Sequence, residues 1–307
     1  MGFLYHLRIA FVGFLMGAAD LVPGVSGGTI AFICGIYERL LNGIKSFDLA
    51  ALRLAARFDW QGLWAKIPVW FFLSLGSGLV IAIFSLSKVL SALFISHPIE
   101  LWSFFFGLVV GSIVLLARET WRWRATDFLA FIIAALATYL LVGLESLQTP
   151  PTRLFLFFSG AIAICAMILP GISGSYLLVI MGKYHLVLEA VSTRDFGTLA
   201  IFIGGIVVGI LSFVRVVSWL LRTYTRTTLI ALTGIMAGAL RTVWPWKETL
   251  TWRTNSKGVE VPLLQTNILP AEGSQILLAV GMLIVGMIAV IGLSRLGHSA
   301  KPKPQKN

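Results

Sequence analysis

Long apolar runs constrain this chain more than any other feature of its sequence. A helix needs about 20 predominantly apolar residues to cross the hydrocarbon core of a bilayer. Ten runs reach or approach that length, and they cover most of the 307 residues. Their bounds are 3–22, 24–44, 67–95, 99–117, 126–144, 154–169, 172–191, 199–221, 228–243 and 275–293. The sequence therefore predicts an all-α polytopic membrane protein.

Composition and charge agree with this class. Charged residues make up 12% of the chain, about half the roughly 25% of soluble domains. The net charge of +11 raises the question of nucleic-acid binding. However, the basic residues lie between the apolar runs, where membrane proteins keep their loop charges, and form no patch with interleaved aromatics. We predict a multi-pass membrane protein with no nucleic-acid partner.

Two glycine-rich interruptions divide the runs, at residues 23–29 (PGVSGGT) and 170–175 (PGISGS). Proline removes a backbone donor and glycine permits positive φ, so both interruptions should break a helix. They lie 147 residues apart, and Gly35 recurs as Gly182 at the same offset. After a shorter connection in the second half the offset becomes 127, at which Lys88 matches Arg215. These fixed offsets indicate an internal duplication.

We interpret residues 1–147 and 148–295 as two copies of one repeat. Each copy would hold a re-entrant or broken helix hairpin followed by three transmembrane helices. Whether the hairpin returns or spans, a repeat crosses the membrane an odd number of times, so the second copy must be inverted. Inverted repeats with interrupted helices are typical of secondary transporters, whose substrate site lies at the interruptions.

Three further segments are predicted to lie outside the membrane. Residues 46–66 are expected to form an amphipathic interfacial helix on the inner face. Residues 247–273 are expected to form an irregular outer loop, and residues 296–307 a cytoplasmic tail. Most lysines and arginines of the connecting segments fall on the side of the two termini, which predicts that both termini are cytoplasmic.

The interruptions also predict an anion site. The start of a helix presents unpaired N–H groups and partial positive charge, and hydroxyls can add donors. A phosphate or carboxylate is therefore expected between the two tips, and the alternative is that they merely close the hairpins. The expected binding residues are Ser26, Gly27, Gly28, Thr29, Ser173, Gly174 and Ser175.

Charges inside apolar runs are costly and therefore informative. Asp20 and Glu38 are candidates for proton or cation coupling. The alternatives are that Asp20 bonds the broken backbone and that Glu38 pairs with Arg39. Lys88 and Arg215 are expected to hold the anion as it leaves the tips, because a guanidinium binds phosphate through two donors. The alternative for these two residues is a role as interfacial anchors.

Sequence patterns of enzymes do not accompany these residues. The chain has no nucleophile–base set, no zinc spacing, no phosphate-binding lysine loop and no dinucleotide fingerprint. We therefore predict no catalytic residue, no metal and no cofactor.

Residues 17–29 (GAADLVPGVSGGT) and 35–38 (GIYE) closely resemble the signature of the bacterial PopT family, the polyprenyl-phosphate (undecaprenyl phosphate) translocases. Residues 169–175 (LPGISGS) fit the second signature of that family, and the resemblance covers nearly the whole chain. It implies a multi-pass lipid transporter of the bacterial cytoplasmic (inner) membrane rather than an enzyme. The lipid would be the C55 carrier, returned from the outer to the inner leaflet for reuse in peptidoglycan and other envelope polymers.

Two other functions stay open at this point. Undecaprenyl-diphosphate phosphatases of the BacA type carry a similar Pro-Gly-x-Ser-Arg-Ser-x-x-Thr motif in inverted repeats. Here Gly27 replaces the arginine, and the Glu-x-x-x-Glu companion is missing, so the main stabiliser of the phosphate charge would be lost. An ion-coupled transporter of small anions is the third possibility.

Overall fold

A computed structural model describes residues 2–22, 24–120, 123–144, 149–150, 152–254, 260–270 and 273–298. These residues form fourteen α-helices, a short 3-10 helix at Leu240–Val243 and one β-hairpin. The elements are α1 (Phe3–Asp20), α2 (Gly27–Ile33), α3 (Tyr37–Lys45), α4 (Leu49–Ala56), α5 (Trp60–Lys66), α6 (Val69–Ser96), α7 (Pro98–Glu119), α8 (Ala125–Leu141), α9 (Arg153–Ile168), α10 (Gly174–Ile180), α11 (Tyr184–Ser192), α12 (Phe196–Thr223), α13 (Thr225–Ala239), β1 (Lys247–Thr254), β2 (Glu260–Asn267) and α14 (Gly273–His298).

Five of the described helices are long and apolar enough to cross a membrane: α1, α6, α7, α12 and α14. The helices α8 and α9 are apolar but shorter. Large apolar side chains face outward on the long helices, as at Phe84 (81% exposed) and Leu277 (77% exposed). A soluble protein rarely exposes so much contiguous apolar surface, whereas lipid tails would cover it. The prediction of an all-α polytopic membrane protein is confirmed.

The two apolar runs after the interruptions are divided rather than continuous. The run at 24–44 coincides with α2 and α3, of seven and nine residues, and the run at 172–191 with α10 and α11, of the same two lengths. The helices α3 and α11 each end one residue beyond the run. The breaks fall at Gly35 and Gly182, which have φ of 69° and 64°. These helices are too short to span a bilayer, which needs about 20 residues.

Glycines let the long helices pack in close pairs, and the contacts fix the pair directions. On α1, Gly13 faces Leu75 and Gly17 faces Leu79, so α1 and α6 run in the same direction. The chain between them, which includes α2 and α3, therefore returns to the end of the bundle at which α1 begins.

Three other helix pairs are built in the same way. Phe157 and Ala161 of α9 face Gly205 and Gly209 of α12. The helices α7 and α14 form a third pair and α8 and α13 a fourth. In each pair the two helices run in the same direction, because residue numbers at the contacts increase together. The last two pairs join a helix of the first half of the chain to one of the second half, so the two halves interlock.

Residues 46–66 form two short helices, α4 and α5, rather than one. Phe58 lies between them with a φ of 56°, and Lys66 Nζ lies 2.6 Å from Asp48 Oδ1. This hydrogen bond, with one from the Ala51 N–H, lowers the pKa of Asp48 to about 2. Trp60 and Trp64 are more than half exposed, as expected of a segment at a membrane surface. The interfacial location stays a prediction.

The prediction of an irregular loop at residues 247–273 is wrong. Strands β1 and β2 pair antiparallel, with Lys247 opposite Asn267. Threonine and tryptophan in β1 favour extended structure, and pairing satisfies backbone groups that a loop would leave to water. The predicted tail also begins too early, because α14 continues to His298. Residues 255–259, 271–272 and 299–307 lie outside the described part of the chain.

Candidate functional site

Two loops that interrupt the apolar helices contact each other inside the bundle. We call residues 21–26, between α1 and α2, the first loop, and residues 169–173, between α9 and α10, the second loop. Ser26 Oγ lies 3.2 Å and 3.3 Å from the carbonyl oxygens of Met167 and Leu169. The Gly171 N–H donates to Thr29 Oγ1, with an N–O distance of 3.0 Å. Pro23 lies outside the described residues.

Both loops turn on a glycine that no other residue could easily replace. Gly24 has a φ of 85° and Gly171 a φ of 93°, a conformation that side chains disfavour. A Cβ atom at Gly24 would lie 2.5 Å from Thr242 Oγ1, and one at Gly171 would lie 3.0 Å from the Cα of Met236. The glycines therefore allow each loop to turn while packed against the rest of the bundle.

The first loop has no free donor at the start of α2. The Gly27 N–H donates to Asp20 Oδ1 at 2.7 Å, and the Gly28 N–H to Ser26 Oγ at 3.1 Å. The Thr29 N–H donates to the Ser26 carbonyl. The expectation of unpaired N–H groups is therefore wrong for this loop, because the Asp20 carboxylate occupies the place assigned to a ligand anion. Ser26 and Thr29 are almost completely buried.

The second loop differs from the first in the hydrogen bonding of the N–H groups at the start of its helix. Met167 stands where the first half has Asp20, so this loop has no carboxylate of its own. The hydroxyls of Ser173 and Ser175 lie 2.8 Å apart, with Ser175 exposed and Gly174 buried. Within the described part of the chain, the N–H groups of Gly174 and Ser175 have no hydrogen-bond acceptor. The second loop can therefore still donate to an anion.

Residues next to the β-hairpin cover the first loop from one side. Thr242 Oγ1 lies 3.4 Å from the Gly24 carbonyl oxygen. Lys247 Nζ donates to the Thr242 carbonyl at 2.6 Å and lies 3.5 Å from the centre of the Trp102 ring. Burial lowers the pKa of Lys247 to about 7, while the ring and the carbonyl favour the ammonium form. The hairpin is thus tied to the first loop through Thr242.

The charged candidates lie farther from the loops. Glu38 is exposed in the first turn of α3. Lys88 and Arg215 are both exposed, each at the twentieth of 28 residues of α6 and α12. Arg215 Nη1 donates to the Leu211 carbonyl of its own helix. Within the described residues, neither cation has a hydrogen bond to either loop.

Arg215 instead lines a cleft of about 430 Å³ with residues that the sequence analysis did not select. They are Lys45, Trp219, Arg222 and Thr223. The spacing of Arg215, Trp219 and Arg222 places all three on one face of α12, which was a usable signal. Lys45 comes from α3, and only the fold brings it to α12.

Two known proteins and one protein family are similar to this chain over most of its length. A Polyprenyl-phosphate transporter of Vibrio cholerae serotype O1 is 45% identical over 297 residues, covering 94% of this chain and 96% of that protein. A Polyprenyl-phosphate transporter of Staphylococcus aureus is 31% identical over 251 residues, covering 76% and 84% of the two chains. No solved structure matches. The family described as Undecaprenyl phosphate translocase-like matches residues 16–261, and the chain belongs to this family.

Proposed function

We propose that this protein moves undecaprenyl phosphate, a C55 polyprenyl phosphate, from the outer to the inner leaflet of a bacterial cytoplasmic membrane. The carrier would then be available again for cell-envelope polymer synthesis. The observation that carries the proposal is the contact between the two loops, with Thr29 bonded to Gly171 inside a bundle of apolar helices. The two relatives are polyprenyl-phosphate transporters, which supports transport of this lipid class rather than hydrolysis.

The two halves of the chain are proposed to be inverted repeats. Three pairs of corresponding helices have equal lengths: α2 and α10 with seven residues, α3 and α11 with nine, and α6 and α12 with 28. Helices joined by a short connection, as α6, α7 and α8 are and as α12 and α13 are, run in opposite directions. The helix α8 runs parallel to α13, α1 parallel to α6 and α9 parallel to α12. Followed along the chain, these directions make α9 antiparallel to α1. Each short-helix segment would then be a re-entrant hairpin whose loop lies within the membrane.

The head group is proposed to bind at the second loop. A phosphate oxygen there would accept from the N–H groups of residues 174 and 175 and from the hydroxyls of Ser173 and Ser175. The residues of the first loop (Ser26, Gly27, Gly28 and Thr29) would shape the opposite wall and supply hydrogen bonds when the two loops separate. Lys88 and Arg215 would attract the phosphate along the outer faces of α6 and α12.

Coupling to an ion gradient is proposed for Asp20. This carboxylate holds the first loop closed through the Gly27 N–H, so a proton or cation bound to it would weaken that bond and release the loop. Glu38, exposed at the start of α3, is the second candidate. Both termini are proposed to be cytoplasmic, because that orientation leaves most of the basic loop residues inside.

The experiment that tests the function uses purified protein in liposomes. Polyprenyl phosphate placed in one leaflet should reach the other leaflet faster than in protein-free liposomes. Release of phosphate from undecaprenyl diphosphate would instead indicate a phosphatase, and uptake of a soluble anion without lipid movement would indicate an anion transporter. Either of these results, without lipid transfer, contradicts the proposal.

A further inference from the structure

The cleft between α3 and α12 is a concentration of positive charge. Three of its five lining residues are basic, Lys45, Arg215 and Arg222, and none is acidic. Within the described part of the chain, carboxylates form salt bridges with Lys66 and Arg226 and with none of these three cations. An anion between the cations would relieve their mutual repulsion, and arginine binds phosphate through two parallel donors.

The cleft begins close to the two loops. Tyr37, the first residue of α3, donates its hydroxyl to the Ile168 carbonyl at 3.3 Å, next to the second loop. Lys45, the last residue of α3, lines the cleft, and eight residues of helix separate the two by about 12 Å. A head group that leaves the second loop along α3 would therefore reach the cleft after a short movement.

Distances along α12 also place the cleft near the second loop. Cys165 lies against Gly209 near the end of α9. Arg215 lies about 9 Å farther along α12, and α9 ends about 4.5 Å beyond Cys165. Arg215 is therefore within about one helical turn of the level at which the second loop begins. Arg222, a further 10 Å or so along the helix, lies beside its end.

The flank of α12 that carries these cations also bears exposed apolar side chains. Val216 is 50% exposed and Trp219 is 54% exposed. A phosphate held in the cleft could therefore keep its long apolar tail in the hydrocarbon core, beside these exposed side chains. Tryptophan at such a position is typical of the membrane–water interface.

The other half of the chain does not repeat this charge. At the offset of 147, Ser192 corresponds to Lys45, and at the offset of 127, Ile95 corresponds to Arg222. Of the three cations only Arg215 has a basic counterpart, Lys88. The cleft is thus a feature of one end of the bundle, where α3 and α12 end.

We propose that this cleft, which we call the cationic cleft, is a second phosphate site that receives the polyprenyl phosphate head group between the two loops and the membrane surface. The inference rests on the proposed function. It assigns Lys45, Arg222 and Trp219 to the path of the lipid. It also implies that the two ends of that path differ in positive charge. Under the proposed orientation the cationic cleft opens towards the cytoplasm, where the carrier is released.

Native mass spectrometry of the purified full-length protein with a short-chain polyprenyl phosphate tests the proposal. The wild type should bind two lipids, one at the loops and one in the cationic cleft. The double variant Lys45→Gln/Arg222→Gln should bind one, with the second dissociation constant raised at least tenfold. The control is Arg53→Gln/Arg57→Gln, with Arg53 in the last turn of α4 and Arg57 directly after it. It removes two equally charged, exposed residues outside the cleft and should leave both lipids bound.

Inorganic phosphate serves as the competing probe. At equal concentration it should displace neither lipid, because it lacks the tail that anchors the head group beside the membrane. Two lipids bound to the cleft variant with unchanged affinity would overturn the inference, as would equal competition by inorganic phosphate. If the double variant does not fold, Arg222→Gln alone gives the same test. In the liposome assay, absence of lipid transfer by the wild type would refute the proposed function. Transfer by the wild type, with the same rate in the cleft variant, would refute only the role of the cationic cleft.

Discussion

Replacement of Thr29 by valine isolates the hydrogen bond between the two loops. Valine keeps the shape of threonine but cannot accept from the Gly171 N–H, which Thr29 Oγ1 binds at 3.0 Å. Both residues are buried, with Thr29 0% exposed, so water cannot replace the lost acceptor. An unsatisfied buried donor costs about 1–3 kcal/mol. For a chain of 307 residues that corresponds to a fall of roughly 2–5 °C in the unfolding temperature.

Thr233→Val is the matched control. Thr233 is 1% exposed, but its hydroxyl donates to the Leu229 carbonyl of the same helix. That carbonyl keeps its backbone bond, so the variant leaves no donor orphaned and should lose no more than about 1 kcal/mol. Thermal unfolding of both variants in detergent, followed by tryptophan fluorescence, provides the measurement. Equal stability losses in the two variants, or no loss for Thr29→Val, would refute the assigned role of the loop contact.

Three further predictions address charge. Asp20→Asn should fold normally, since the amide oxygen still accepts from the Gly27 N–H, but transport in liposomes should lose its dependence on pH or on an imposed gradient; an unchanged dependence would make Asp20 purely structural. Arg215→Lys should slow lipid transfer and Arg215→Ala should abolish it without loss of folding, whereas a wild-type rate for Arg215→Ala would make the residue an interfacial anchor. The pKa of Asp48 is lowered from 3.8 to about 2, so the carboxylate stabilises residues 46–66 above pH 4, and that stability should disappear as the pH falls towards 2. Hydrogen exchange of this segment at pH 5 and pH 2.5 measures the change, which Asp48→Asn should remove.

The apolar runs and the two glycine-rich interruptions were sufficient to predict the membrane helices and the loops. Burial in lipid leaves few alternatives for a run of 20 apolar residues, and Gly24 and Gly171 do adopt positive φ. The pairing of the Gly27 N–H with Asp20 was one of two alternatives for that residue. The carboxylate reaches this N–H because the first loop turns back towards the end of α1. A hydropathy pattern does not predict the path of a loop.

The β-hairpin and the cationic cleft show where sequence reasoning fell short. The polar residues of β1 led to the prediction of a loop, although Thr249, Thr251 and Trp252 favour extended structure. Lys45 and Arg215 are far apart in the sequence and meet because α3 packs against α12. A long-range contact of this kind leaves no local signal. The cationic face of α12 could have been predicted from residue spacing, but the contribution of Lys45 to the cleft could not.

The most direct test of the account measures transfer of polyprenyl phosphate between the leaflets of liposomes for the wild type and for Ser173→Ala/Ser175→Ala. The matched control is Ser192→Ala/Ser212→Ala, which removes two exposed hydroxyls that bond only their own helices. We expect the wild type and the control to transfer the lipid at the same rate and the second-loop variant to be at least tenfold slower with an unchanged unfolding temperature. Transfer by the second-loop variant at the wild-type rate would contradict the claim that the head group passes through the two loops.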